Sequence, residues 1–153
     1  MNEKQAVRSL KQGDLNGLEG LVKSHQVKAV RAAFLIVNDR GLAEEVVQKA
    51  FIKTARRIDQ FDERYPFGPW FYRIVVHDAL KVVRRQKRFV SLDRQQEDQT
   101  AQLVEWLMDP EPGPEKTIEI REQCEEIVQA IQSLPPDRRA AVVMFYYLEM
   151  SMK

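Results

Sequence analysis

Apolar residues recur at steps of three and four along most of the chain, which is the spacing of amphipathic helices. Asp14 can cap a helix over residues 15–37, and a second helix is predicted over about residues 43–58. The polar face of this second helix carries Glu44, Glu45, Gln48 and Lys49. Taken alone, that face is an ordinary solvated surface. Since no strand pattern occurs anywhere, the sequence predicts an all-α fold.

The helical pattern stops over residues 59–69, where two prolines and a glycine preclude a continuous helix. This loop is unusually aromatic, and a further helix is predicted from Trp70 to about Arg88. We expect Tyr65 to be exposed because charged residues surround it. Two alternatives stay open for the other rings, which either face solvent or cap the core beneath the loop. They are Phe61, Phe67 and Trp70.

The composition changes after Phe89, and Gln, Asp, Glu and Pro dominate up to Thr117. This segment is interpreted as a flexible linker with at most one short docked turn. A helical hairpin is predicted beyond it, broken by Pro135-Pro136 and continuing to Leu148. The predicted organisation is therefore a helical domain over residues 1–90, a linker over 91–116 and a helical hairpin over 117–153.

The charge is nearly balanced, with 24 basic and 23 acidic side chains giving a net charge of +1. This sum hides a basic stripe on the helix after the loop, at steps of four, four, three and four. The stripe consists of Arg73, His77, Lys81, Arg84 and Arg88, and Arg85 widens it. Such a stripe is usually a solvated face. Exposed aromatic rings beside the stripe favour a nucleic-acid site over a solvated face. Bases can stack on the rings while phosphates bind the cations, and single-stranded nucleic acid offers both groups.

Candidate groups for catalysis are scarce. Cys124 is the one cysteine and lies on an apolar stripe, while His25 and His77 have no metal-ligand partner at helical spacing. We therefore expect no enzyme, no metal and no cofactor. The apolar runs are too short to span a bilayer, and the first residues lack the apolar core of a signal peptide. A cytoplasmic protein without membrane insertion is expected.

Two stretches carry a family resemblance. AEEVVQKAFIKTARRIDQFD, at residues 43–62, and PFGPWFYRIVVHDALKVVRRQKR, at residues 66–88, resemble region 2 of the extracytoplasmic-function (ECF) sigma factors of bacterial RNA polymerase. SLPPDRRAAVVMFYYLEMS, at residues 133–151, resembles the start of region 4. The resemblance implies a protein that binds core RNA polymerase, directs it to promoters and helps open the −10 element.

The resemblance also implies roles for particular residues. The helix carrying Glu44, Glu45, Gln48 and Lys49 would dock on the clamp coiled coil of the largest polymerase subunit, with Phe51 packed beneath the docking surface. The aromatic loop would capture a base flipped out of the −10 element, and the basic stripe would follow the DNA backbone. The implied DNA-binding residues are Phe61, Tyr65, Phe67, Trp70, Arg73, His77, Lys81, Arg84, Arg85 and Arg88.

The sequence also departs from the family pattern. Lys49 and Ala50 stand where the family commonly has Glu and Thr, and His77 replaces a usual Asn, so the clamp contact and promoter preference are expected to differ. The chain stops inside the region 4 motif, which predicts either a fragment or a truncated protein unable to read the −35 element. The alternative function is a truncated sigma-like protein that binds polymerase or an anti-sigma factor without starting transcription. An anti-sigma factor is an expected partner, and a small-molecule substrate is not.

Overall fold

The computed structural model describes residues 1–86, 93–108 and 114–150, and the side chains of 93–99 and 114–117 are left undescribed. The predicted all-α fold is confirmed, since the described residues form seven α-helices and no strand. The helices are α1 (Glu3–Lys11), α2 (Leu15–Val37), α3 (Arg40–Arg57), α4 (Phe67–Gln86), α5 (Asp93–Leu107), α6 (Pro114–Ser133) and α7 (Pro136–Val142).

Helix α1 was not predicted from the pattern. Asn2 and Gln5 form a capping box, in which the Asn2 side chain accepts from the Gln5 backbone N–H at 2.8 Å and the Gln5 side chain accepts from the Asn2 backbone N–H at 2.9 Å. Ala6, Val7 and Leu10 are buried against α2. The capping box and this apolar spacing were the available signals, in a segment that sequence reasoning considered only as a possible leader.

Helix α2 lies at the centre of the N-terminal part. Asp14 caps it as predicted, accepting from the Asn16 backbone N–H at 3.0 Å. The second half of α2 is buried around much of its circumference, because α3 and α4 pack on it there. Asn38 adopts a left-handed conformation with φ 55°, and Asp39 caps α3 through the Leu42 backbone N–H.

Helix α4 begins at Phe67, three residues earlier than predicted. A short 3₁₀ turn over Ile58–Gln60 follows α3, and the loop after it is therefore shorter than the sequence pattern indicated. Pro69 lies within the first turn of α4, where its missing N–H costs no intrahelical hydrogen bond. The proline thus does not mark the end of the loop.

Most of the predicted linker is helical. The expectation of one short docked turn in this segment is wrong, because α5 covers fifteen residues and the side chains of Leu103 and Val104 are fully buried. Trp106 packs towards Phe34 of α2, with ring centroids 6.4 Å apart. Four apolar residues within five positions were enough to dock a helix whose first half is strongly polar.

The C-terminal helices pack on the N-terminal ones. Gln132 of α6 donates to the Asn38 side chain at 2.6 Å, and α7 contacts both α2 and α4. The described part of the chain then ends in a π-helical turn over Val143–Tyr147, after which Glu149 adopts a left-handed conformation and the Met150 backbone N–H donates to the Met144 carbonyl. Among the described residues, no helix is both long and apolar enough to cross a membrane.

Candidate functional site

One face of α4 is basic and exposed. The buried side of this helix consists of Phe71, Tyr72, Val75, Val76, Ala79 and Val83. The exposed side chains on this helix include Arg73, His77, Lys81, Arg84 and Arg85. The predicted geometry of one exposed stripe is therefore confirmed for these five positions, whereas Arg88 lies outside the described residues.

Two acidic residues contact this region. Asp137, at the start of α7, accepts from Arg84 at 2.5 Å, and both side chains remain largely exposed. Asp78, on α4 itself, accepts from Lys53 of α3 at 2.8 Å and is mostly buried. The Asp137 pair joins the basic stripe to the C-terminal helices, and because it is exposed it contributes little stability.

The loop before α4 projects one ring into solvent. Tyr65 is 66% exposed, as predicted. Its backbone N–H donates to the Asp62 carbonyl at 3.1 Å, and the Asp62 carboxylate accepts from both the side chain and the backbone of Arg64. These hydrogen bonds from Arg64 lower the pKa of the Asp62 carboxyl to about 2. The loop is thus a tight, hydrogen-bonded turn that presents Tyr65.

The other loop rings belong to the core. Phe61 is 5% exposed and Phe67 is 1% exposed, so of the two alternatives left open for these rings, the structure has them capping the core. Phe67 points inward because it starts α4 and stacks against Phe71 at 5.7 Å. Trp70 is half-buried and covers both rings, at 5.0 Å from Phe61 and 5.9 Å from Phe67. The three rings pack on one another, whereas Tyr65 is exposed.

Helix α1 is fastened to the loop by two basic side chains. Lys11 donates to the Phe61 carbonyl at 2.8 Å and lies 3.4 Å from Glu63. Arg8 donates to the other oxygen of Glu63 at 3.1 Å. The hydrogen bond from Arg8 lowers the pKa of the Glu63 carboxyl. The position of the loop therefore depends on residues about fifty positions earlier in the chain.

His25 joins the opposite end of α1 to α4. Its Nε2 lies 2.8 Å from the Glu3 carboxylate and its Nδ1 lies 2.8 Å from the Tyr72 hydroxyl. The imidazole also packs against Phe67 at 5.3 Å, beneath the loop. Burial raises the pKa of Tyr72 to about 12, because the phenolate would lose hydration there. His25 thus connects α1, α2 and α4 through polar contacts inside an aromatic cluster.

A cavity of about 140 Å³ lies between α1 and the loop. Val7, Phe61 and Phe67 supply buried apolar lining, and Tyr65 and Pro66 supply exposed lining. Glu3, Lys4 and Glu63 complete it. Sequence reasoning missed the α1 contribution because it assigned no helix before residue 15.

Helix α3 presents a separate polar face. The four predicted residues, Glu44, Glu45, Gln48 and Lys49, are all exposed. Glu45 and Lys49 form the i,i+4 pair that their spacing predicts, at 2.8 Å, and Arg40 pairs with Glu44 at 3.1 Å. Phe51 is buried as expected and stacks on Phe71 at 4.4 Å.

Sequence reasoning missed one residue on this face. Ile52 is 51% exposed and follows Gln48 by one helical turn. The signal was available, because Ile52 does not fit the apolar stripe that includes Val47, Phe51 and Thr54. Single exposed apolar side chains are common on protein surfaces, so any role of Ile52 depends on the charged residues around it.

Two observations bear on the predicted absence of a metal site and of a reactive cysteine. Within the described residues, no group of three or more His, Cys, Asp or Glu side chains could hold a metal ion. Burial raises the pKa of the Cys124 thiol, which disfavours the reactive thiolate.

Comparison with known proteins finds sigma factors both in the matching family and among the relatives. Residues 21–89 match the sigma-70 region 2 family. The RNA polymerase sigma-H factor of Pseudomonas aeruginosa is 31% identical over 144 residues, covering 93% of this chain and 74% of the relative. The ECF RNA polymerase sigma factor SigW of Bacillus subtilis is 27% identical over 151 residues, covering 97% of this chain and 80% of the relative. The ECF RNA polymerase sigma-E factor of Escherichia coli K12 is 28% identical over 150 residues, covering 94% of this chain and 75% of the relative.

Proposed function

This chain belongs to the ECF sigma factors, which direct promoter recognition in transcription initiation, and we propose that it does so by docking on core polymerase through α3 and holding the unpaired −10 strand with Tyr65 and α4. The observation that carries the DNA part is the exposed Tyr65 ring just before the basic stripe of α4. A base stacks on such a ring while the neighbouring cations bind phosphates.

The stacking role falls on Tyr65. Phe61 and Phe67 are buried, and Trp70 packs on both, so Tyr65 is the exposed ring of the loop. Extruding a base from duplex DNA costs a few kcal/mol, and stacking returns roughly 1–3 kcal/mol per base. One ring therefore offsets only part of the cost, so the proposal requires polymerase to help melt the DNA.

The polymerase-binding role falls on the exposed face of α3. Glu44, Glu45, Gln48 and Lys49 surround Ile52, which gives an aliphatic centre and a charged rim. Binding surfaces commonly have this anatomy, in which the centre supplies affinity and the rim supplies orientation. The partner is the clamp coiled coil of the largest polymerase subunit.

The remaining predictions follow from the same proposal. Residues 1–90 would act as sigma region 2, residues 91–116 as the connection and residues 117–153 as part of region 4. The protein would act in the cytoplasm beside polymerase, without chemistry or a cofactor of its own. An anti-sigma factor would compete for its surfaces.

The test uses core polymerase and a promoter fork with an unpaired −10 strand. Core polymerase with this protein should bind the fork and make run-off transcripts, whereas either component alone should do neither. Binding to core without transcripts would favour the alternative of a polymerase-binding protein that does not initiate. Tight binding of the protein alone to intact duplex would contradict the proposal.

A further inference from the structure

Trp106, in the last turn of α5, contacts cationic groups on both α2 and α3. The guanidinium carbon of Arg31, on α2, lies 5.2 Å from the centroid of the Trp106 ring, and that of Arg40, the first residue of α3, lies 4.9 Å from it. Both distances are within the range of cation–π contacts. We call this pair of contacts the Trp106 clasp. It fastens the end of α5 to the N-terminal helices.

The outer side of the clasp adjoins the proposed polymerase-binding face. Arg40 donates through its Nε to a carboxylate oxygen of Glu44 at 3.1 Å, and Glu44 is the first residue of that face. The side chains of Arg40 and Glu44 are both about half exposed, so this contact lies at the surface. Arg40 therefore contacts both the Trp106 ring and a residue proposed to bind polymerase.

A partner docked on α3 would reach the clasp. Glu44 and Ile52 are eight residues apart, which is about 12 Å along an α-helix. A stable protein interface buries roughly 800 Å² on each partner, which is a patch about 30 Å wide. Because such a patch is wider than the proposed face, it extends past Glu44 to Arg40 and to the Trp106 ring beside it.

The inner side of the clasp depends on Arg31. The Nε atom of Arg31 is buried and has no hydrogen-bond partner among the described residues, while the side chain also hydrogen-bonds to Tyr147. A buried cation is costly unless other groups compensate it, and the face of the Trp106 ring is one such group. The inner contact therefore favours the closed clasp, whereas the exposed contact with Arg40 is open to competition.

The clasp can open while the core stays packed. Leu103 and Val104 of α5 are fully buried, whereas Trp106, Leu107 and Met108 are only partly buried. Trp106 and Leu107 belong to the last turn of α5, and the terminal turns of helices fray at low cost. Opening would therefore release the end of α5 and leave its buried residues in place.

We propose that the Trp106 clasp is an autoinhibitory contact, which covers the edge of the polymerase-binding face in the free protein and opens when core polymerase docks on α3. The inference rests on the proposed function, because it takes α3 as the docking helix. Partner and clasp compete for the Arg40 guanidinium and for the space beside it, so each disfavours the other. The apparent affinity for core polymerase is then the affinity of the open form multiplied by the fraction of molecules that are open.

The first experiment measures the affinity of the whole chain for core polymerase. Trp106→Ala removes both ring contacts, and its affinity should rise about tenfold because the closed form loses two cation–π contacts. Trp106→Phe keeps a smaller ring and should give an intermediate affinity. Tyr146→Ala, which truncates an exposed ring outside the clasp, is the control and should bind as the native chain does. A ring that only stabilises the fold would give the opposite sign, because its loss lowers the folded fraction.

The second experiment locks the clasp reversibly. Arg40→Cys and Trp106→Cys in a Cys124→Ser background place the two thiols of the chain at the clasp. A short bis-methanethiosulfonate reagent links them, and a reductant releases the link. The linked protein should bind core polymerase at least tenfold more weakly than the same protein after reduction. Capping both thiols with methyl methanethiosulfonate is the control and should leave the affinity at the reduced level.

The outcomes separate this inference from the proposed function. If Trp106→Ala binds core polymerase no more tightly than the native chain, the clasp is not autoinhibitory. Linked and reduced proteins that bind equally well overturn the competition between clasp and partner. In both cases the proposed function stands, provided that the native chain binds core polymerase and the promoter fork. Failure of core polymerase to bind the native chain and the reduced variant contradicts the proposed function and the inference together.

Discussion

The guanidinium of Arg139, on α7, donates a 2.5 Å hydrogen bond to the carbonyl oxygen of Ile36, which lies one residue before the end of α2. The same side chain donates to the carbonyls of Gln132 and Leu134 at the end of α6. One cation therefore satisfies the terminal carbonyls of two helices, where the helix dipoles are negative. It is the main polar junction between the N-terminal helices and α7.

Replacing Arg139 should loosen this junction. Arg139→Met removes all three hydrogen bonds and leaves the carbonyls without this donor, so we expect the free energy of unfolding to fall by about 1–3 kcal/mol. Urea unfolding followed by circular dichroism measures the change. Arg138→Met is the control, because Arg138 is exposed and adjacent. Equal stabilities of the two variants would show that the junction does not hold α7 in place.

Ile52 should be an anchor for core polymerase. Ile52→Glu places a charge where the proposed interface has its aliphatic centre, and binding to core should weaken at least tenfold. The fold should be unaffected, because the side chain is half exposed. Val27→Glu is a matched control on α2, where the side chain is also 51% exposed. Comparable losses in both variants would mean that α3 is not the docking helix.

Tyr65 and Phe67 should respond to alanine in different ways. Tyr65→Ala should weaken fork binding by the polymerase complex about tenfold, through the loss of stacking, with no change in thermal stability. Phe67→Ala should instead destabilise the fold by about 3–5 kcal/mol, because it empties a fully buried position. Tyr146→Ala, which truncates an exposed ring after α7, should leave both quantities unchanged. Normal fork affinity in Tyr65→Ala would remove the stacking proposal.

The basic stripe should set the salt dependence of fork binding. Arg73→Gln, Lys81→Gln and Arg85→Gln should each reduce the slope of log affinity against log salt by roughly 0.7–0.9, one phosphate contact apiece. Asp137→Asn should strengthen fork binding, because it releases Arg84 from its ion pair. The control is Lys23→Gln on α2, where the side chain is exposed and lies outside both proposed binding surfaces. An unchanged slope in all three stripe variants would identify the stripe as a solvated face.

Tyr72 should make the fold sensitive to alkali. Its pKa is raised to about 12 in the folded protein, so folding favours the protonated phenol. The stabilisation is complete below pH 10 and is lost as pH rises towards 12. Urea unfolding between pH 9 and 12 should show a steeper fall for the native sequence than for Tyr72→Phe. Parallel curves would indicate that Tyr72 ionises normally.

The pattern and spacing of apolar residues predicted most of the helices. They failed for the helices that form only because they are buried against other helices. The end of α2 and the face of α3 followed from apolar periodicity, because long helices repeat the signal many times. Helices α1 and α5 have only a few apolar residues each. They form because α2 and α6 provide surfaces to cover, which is a tertiary effect that no local window contains.

The candidate site divides in the same way. The basic stripe was predictable from charge spacing alone, since helical geometry fixes which side chains share a face. The fate of the loop rings was open, because exposure depends on where α4 starts. The helix starts at Phe67, which is buried, and Tyr65 before it remains exposed. The cavity required α1, and its lining could not be assembled without the fold.

The hydrogen bond from Lys11 to the Phe61 carbonyl joins residues that are fifty positions apart. With the Glu63 contacts, it ties the start of the chain to the aromatic loop. The position of the loop therefore depends on the folded domain, in addition to the hydrogen bonds within the loop itself. A peptide spanning residues 59–69 should be unstructured and should not bind unpaired DNA. Engineering of promoter preference in this protein must accordingly treat residues 1–11 and the loop as one unit.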